Sequence, residues 1–176
     1  EVQMLSDPAE LASFEALIIA VGDARLEATV ELLEPHVHHG LIVFHTCLSR
    51  GVQVLDPLET RGCVVAALAP FALMRWAVTT LDELGETVVE LNITEFRGEA
   101  VALSDAERPS FAARAYYAEM LRRLHISAAV DARFFPSAEE KPMVGEDMDT
   151  EEIIAAYRGA TDPGLRRSYV EVARRL

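Results

Sequence analysis

The sequence predicts an α/β protein: a parallel sheet with helices on both faces, followed by an all-helical C-terminal domain. Three observations carry this. Apolar runs at residues 16–21, 41–44 and 63–68 are short and uninterrupted, as strands buried on both faces are. The stretches between them have helical character, so strands and helices alternate as in a doubly wound sheet with right-handed crossovers. After residue 104 the strand-like runs stop and an alanine-rich helical pattern takes over. The sheet domain is therefore expected over 1–104 and the helical domain over 105–176.

Residues 2–5 alternate weakly and read as a short strand. Asp7-Pro8 sets an acceptor side chain ahead of a proline at the first helical position, which opens a brief helix over 8–14. The strand at 16–21 (Ala-Leu-Ile-Ile-Ala-Val) is stopped by Gly22-Asp23. Leu26, Val30 and Leu33 mark a helix closed by Pro35 and Gly40. The strand at 41–44 ends at His45-Thr46-Cys47, and a short helix over 52–60 leads through Gly62 to the strand at 63–68. That strand ends at Leu68-Ala69-Pro70.

Residues 75–79 read as a strand closing this part of the sheet, 81–96 as a helix and 100–103 as a last strand. Ser104-Asp105 caps a long helix over 108–130, with Phe111, Ala115, Ala118, Leu121 and Leu124 on one stripe. Residues 136–149 are acidic, contain Pro and Gly, and read as a loop. Two short helices finish the chain, 150–158 with a cap at Asp149/Glu152, and 163–175.

Acidic residues outnumber basic ones 29 to 16, for a net charge of −13. A nucleic-acid partner needs a basic face that releases counterions, so this balance argues against one. No apolar run approaches the roughly 18 residues of a membrane span. Two cysteines, Cys47 and Cys63, are too few for a disulfide framework and are expected as reduced thiols in a cytoplasmic protein. Residue 1 is Glu and no signal-peptide pattern follows it, so the sequence is expected to continue upstream.

Ligands of open α/β sheets bind outside the carboxyl ends of the strands. Three such ends are readable: Val21-Gly22-Asp23, His45-Thr46-Cys47 and Leu68-Ala69-Pro70. Small residues at Gly22 and Ala69 leave room for a flat ligand beside the backbone, and His45 and Thr46 offer a proton donor and a hydroxyl. His45 is the one candidate for catalysis; the alternative is that it caps the strand by bonding a neighbouring carbonyl.

The order of segments (ALIIAVGD, LIVFHTCLSRGVQVLDPLETRG, VVAALAP, RWAVTTLDELGETVVEL) resembles the 6-phosphogluconate-dehydrogenase-like Rossmann proteins. It is nearest to the branch related to ketopantoate and pyrroline-carboxylate reductases, over residues 1–125. The resemblance implies a Rossmann-like NAD(P)-binding domain, NAD or NADP as cofactor, a small-molecule substrate, and a helical domain that forms a homodimer. It places Val21, Gly22, Asp23, His45, Thr46 and Cys47 along the cofactor cleft.

Two departures stand out. The G-x-G-x-x-G fingerprint that brings a pyrophosphate to a helix N-terminus occurs nowhere in the sequence. In the family it would precede Glu1 by a strand and a helix, and that strand would pair with residues 16–21; without it an apolar strand becomes a sheet edge. Ala69-Pro70 also stands where related proteins often carry His-Pro. The alternative is thus a catalytically degenerate nucleotide-binding or dimeric binding protein, or a purely structural dimerisation protein.

Weaker features complete the reading. His36, His38 and His39 lack a carboxylate or cysteine at ligand spacing and suit a helix C-terminus better than a metal. Cys47 beside His45 invites a thiol nucleophile, but neighbours on a strand point to opposite sides. Tyr116, Tyr117 and Arg114 either face the cleft or pack between domains. Arg108-Pro109 reads as a helix start, Arg122-Arg123 as a solvated face and Trp76 as core. Asp7 suits either a ribose diol or the helix cap.

Overall fold

The computed structural model describes residues 3–72, 74–124 and 150–176. Five strands, β1 (Ala16–Ile19), β2 (Ile42–His45), β3 (Val64–Ala72), β4 (Arg75–Thr80) and β5 (Glu99–Ala102), form one sheet in sequential order. Neighbours run parallel except β3 and β4, which are antiparallel. The helices are α1 (Leu26–Leu33), α2 (Asp56–Thr60), α3 (Glu83–Glu95), α4 (Arg108–Arg123), α5 (Thr150–Arg158) and α6 (Pro163–Ala173). The α/β reading holds: a mainly parallel sheet with helices on both faces runs into a helical C-terminal part.

Period-2 alternation of the strands decides which side chain meets which helix. On one face Ile19, Val43, Val65 and Ala67 pack with Leu26, Val30 and Leu33 of α1 and Leu58 of α2. Farther along this face α4 lies on the sheet, where Phe111 meets Phe71 edge to face at 4.9 Å. On the other face Phe44, Ala66, Leu68 and Val78 receive Val89 and Ile93 of α3. The second half of α4 then joins α5 and α6 around Met120, Leu121, Ala156, Tyr169 and Val172.

Several expectations need correction. Residues 3–5 form no strand, and Asp7 caps the short 3-10 helix Pro8–Ser13 by accepting from Ala9 N–H at 2.9 Å. The run at 16–21 is not buried on both faces: β1 is a sheet edge, and Ile18 is 54% exposed. β3 does not end at Ala69-Pro70 but continues to Ala72, beyond its last pair with β2 at His45↔Ala67. There it keeps only β4 as partner, and an irregular register between Pro70 and Ala72 absorbs the proline.

Arg122 and Arg123 are not simply a solvated face. Both bond Glu119, which is 1% exposed, at 2.6 to 2.8 Å. Burial opposes ionisation of that carboxyl, but the two arginines prevail and hold it below its ordinary range. The expected continuation of α4 to residue 130, the loop at 136–149 and the Asp149 cap lie outside the described residues. Among the described residues no helix is long and apolar enough to cross a membrane.

Candidate functional site

The carboxyl ends of β1 and β2 lie side by side because the two strands pair in parallel with Ile19 opposite His45. The chains stay together past the last ladder pair. Thr46 N–H donates to Ile19 O at 3.2 Å, the Cys47 thiol to Val21 O at 3.1 Å, and the Ser49 hydroxyl to the Asp23 carboxylate. Val21, Gly22, Asp23, His45, Thr46 and Cys47 are therefore brought together, as the sequence placed them. The third strand end is not open in the same way, since Ala69 is covered by the α4 cluster.

Within this group burial separates two kinds of residue. Val21, Gly22, Asp23 and Thr46 remain partly exposed along a rim. His45 and Cys47 lie beneath it, 0% and 3% exposed. His45 Nε2 faces Gly51 O at 3.0 Å, and Nδ1 accepts from Cys47 N–H at 3.2 Å. One donor and one acceptor define the neutral tautomer protonated on Nε2. Burial and the neighbouring Arg108 charge lower its pKa to about 4, so the ring is neutral at physiological pH. Both nitrogens are spent on backbone, which matches the strand-capping alternative. Burial, with the Asp23 charge second, pushes the Cys47 thiol far above its ordinary range, so it stays protonated.

Charged residues from the helical region build the rest of the site. Arg108, in the first turn of α4, is 0% exposed and spans the sheet end from β4 to the loop after β2. Its Nη2 donates to Cys47 O at 3.0 Å and its Nη1 to Thr79 Oγ1 at 3.1 Å. Burial lowers its pKa to about 10, yet it remains a cation at neutral pH. Asp105 accepts from Val52 N–H at 2.8 Å and Gln53 N–H at 3.1 Å, capping the turn that leads into α2. The carboxyl packs so closely on Gly51 that a Cβ there would collide with it.

From α5, Glu152 accepts from the Tyr116 hydroxyl at 2.9 Å. Its Oε1 would sit 3.3 Å from a Cβ on Gly22, so α5 leans on the Val21–Asp23 turn. Burial and the Glu152 charge push the Tyr116 phenol well above its ordinary range. A pocket of about 560 Å³ opens here between Asp23, Ser49 and Arg50 on one side and Glu151, Ile154 and Arg158 of α5 on the other.

Sequence reading missed Arg108, Asp105, Ser49 and Glu152 as members of this site. Their signal was faint: Ser49-Arg50-Gly51 is a polar, small tripeptide after a strand end, but nothing local shows that α4 and α5 meet it. His38 faces His39 O and Phe14 O, each at 3.0 Å.

Comparison with known proteins agrees with this architecture. Residues 1–70 match the Rossmann-like domain family. Prephenate dehydrogenase from A. aeolicus, solved with hydroxyphenyl propionate and NAD+, is similar at a TM-score of 0.52 and 13% identity, covering 97% of this chain and 66% of that one. 3-Hydroxybutyryl-CoA dehydrogenase from Escherichia coli is similar at 0.54 and 18% identity, over 88% of this chain and 38% of its own. Pyrroline carboxylate reductase from Plasmodium falciparum, solved with NADP bound, is similar at 0.52 and 11% identity, over 98% and 63%. The chain thus spans less than two thirds of each of these proteins, and the likeness establishes a Rossmann-like fold. No curated protein sequence matches the chain.

Proposed function

We propose that this chain forms part of an NAD(P)-dependent oxidoreductase of the 6-phosphogluconate-dehydrogenase-like type. The nucleotide would lie along the rim of Val21, Gly22, Asp23 and Thr46, with His45 and Cys47 holding that rim from below. The observation that carries this reading is the paired carboxyl ends of β1 and β2, joined by the Thr46–Ile19 and Cys47–Val21 bonds and left partly open at Gly22. The residues fit the ribose and ring portion of a dinucleotide: a glycine without a side chain, a half-buried threonine hydroxyl and a carboxylate. None of them suits the pyrophosphate. β1 is an edge of the sheet, with room for a further strand to pair there. Such a nucleotide, when bound, accepts or donates hydride. The substrate would sit between the sheet and the C-terminal helices, whose α5 and α6 would also serve a homodimer in the cytoplasm.

Titration of the full-length protein with NADH and with NADPH by calorimetry tests the reading. Micromolar binding of either supports it; absence of binding for both removes its basis.

A second reading is a catalytically degenerate nucleotide-binding or dimeric binding protein. One observation favours it: His45, the one catalytic candidate of the sequence, has both ring nitrogens occupied by backbone. Nucleotide affinity with no turnover across small keto acids and imines would decide for this second reading.

A further inference from the structure

We infer that Glu152 is a side-chain gate on the rim, latched shut by Tyr116, and, resting on the nucleotide reading, that the latched carboxylate and a bound nucleotide exclude each other. Gly22 is the one member of the proposed rim without a side chain, and the space its missing Cβ leaves is already taken. Glu152 Oε1 stands 3.3 Å from that Cβ position. A sugar or ring laid on the glycine needs contact distances of about 3.5 to 4.0 Å to the atoms on each of its sides. No such group fits between the glycine and this oxygen, so one of the two must leave.

What moves is the side chain, because the backbone of α5 is fixed. The helix buries Ala156, and Ile153 O accepts from the Tyr169 hydroxyl at 3.0 Å. Just past its end, Gly159 lies so close to the Pro109 carbonyl that a Cβ there would collide with it. The Glu152 carboxylate has a weaker hold. Tyr116 donates to Oε2 at 2.9 Å, and among the described residues Oε1 accepts from no donor. Asp23, next in the chain to Gly22, adds a like charge: both carboxylates act on the Cys47 thiol and on the Tyr116 phenol, so they share one neighbourhood. The buried Arg108 cation reaches Asp23 and offsets only part of that repulsion. One phenol bond thus holds Glu152 shut against a like charge, and the half-buried side chain has solvent to turn into. The phenol itself stays protonated, so ionisation does not release the latch near neutral pH.

Calorimetric titration of NADH and NADPH into the full-length protein and its Glu152→Ala, Tyr116→Phe and Glu151→Gln variants tests the gate. If the latch is shut about nine-tenths of the time, the apparent Kd is about ten-fold above that of the open protein. Glu152→Ala should therefore tighten binding about five- to ten-fold. Tyr116→Phe frees the carboxylate without changing the charge and should tighten binding at least about two-fold. The double variant should bind no better than Glu152→Ala alone, since both changes open one gate. Glu151→Gln removes the same charge one position away and should change affinity by less than about two-fold. Thermal melts show that the variants are folded. In tyrosine 13Cζ NMR, NADH should shift the Tyr116 signal of the parent toward its position in Glu152→Ala. Weaker or unchanged binding by Glu152→Ala, an equal gain from Glu151→Gln, or a Tyr116 signal indifferent to NADH overturns the gate and leaves the nucleotide reading standing. No binding of either nucleotide to the parent or any variant removes the oxidoreductase reading, and the gate with it.

Discussion

Arg108 and Cys47, 61 positions apart, are joined by a 3.0 Å bond from the guanidinium Nη2 to the backbone carbonyl. The first turn of α4 thereby holds the loop that ends β2. The guanidinium is fully buried and its Nε has no hydrogen-bond partner, so it pays a desolvation penalty that its neutral acceptors only partly offset. Truncation would orphan the Cys47 carbonyl and open a cavity. Arg108→Ala is expected to lose about 3 kcal/mol, and Arg108→Lys to recover less than half, because a point charge cannot reach both sides of the span. Urea denaturation measures both; an alanine variant within about 1 kcal/mol of the parent would refute the clamp.

Asp105 and Gly51 make a matched pair. The carboxylate caps two N–H groups after Gly51, and the missing side chain at Gly51 is what lets it approach. Asp105→Ala should cost about 1 kcal/mol, and Gly51→Ala more, because the new methyl displaces the cap as well as colliding with it. With the carboxyl already gone the three atoms nearest to the methyl are removed, so the double variant should be more stable than Gly51→Ala alone. Purely additive losses in the four-way cycle would contradict this geometry.

His45 sets an acid limit. Its folded pKa of about 4 lies below the ordinary 6.5, so the unfolded chain takes up a proton that the folded one refuses. The contribution is whole above about pH 6.5 and is lost as pH falls from there toward 4, by up to roughly 3 kcal/mol. His45→Gln keeps a donor and an acceptor but does not titrate. Its urea midpoint should therefore fall less than the parent's between about pH 7 and pH 5. Parallel curves for the two proteins would show that His45 is not the titrating group.

How far the sequence foretold this structure depends on what each feature needs. Leu26, Val30 and Leu33 turned inward as their spacing said, because helix periodicity is local. Val21–Asp23 and His45–Cys47 met at one rim because parallel pairing puts successive strand ends together. Burial was less legible. Ile18 belongs to a run as apolar as any in the sheet, yet whether it is covered depends on a neighbour its own pattern cannot report. Arg108 read only as a helix start, since only the fold shows a β-strand, a loop and α4 closing over it. Glu119 with Arg122 and Arg123 was hidden for the same reason.

His38 should titrate in the opposite sense to His45. Both of its ring nitrogens face carbonyl oxygens, His39 O and Phe14 O, which only the doubly protonated imidazolium can satisfy. Those two bonds raise its pKa above 6.5. The stability it adds is full below the unfolded value and is lost as pH rises through the folded one, a small effect for so exposed a ring. In an NMR titration the His38 ring protons should shift at a midpoint above 6.5, while those of His45 stay unchanged until well below it. A His38 midpoint below 6 would mean that one of the two carbonyl bonds does not form.

Gly22 separates a demand of the fold from a demand of a ligand. Its φ of −64° is open to any residue, and a Cβ would meet only Glu152 Oε1 at 3.3 Å, so the carboxylate must yield slightly. Gly22→Val should therefore cost less than about 1.5 kcal/mol of stability. If the rim holds a dinucleotide as proposed, the same isopropyl group stands where the ribose approaches the backbone. NADH affinity should then fall at least about ten-fold, well beyond what the stability loss accounts for. Gly22→Ala should lie between the two. Calorimetry with NADH and thermal melts on the same preparations separate the effects, and a valine variant that binds NADH like the parent would move the nucleotide off this rim.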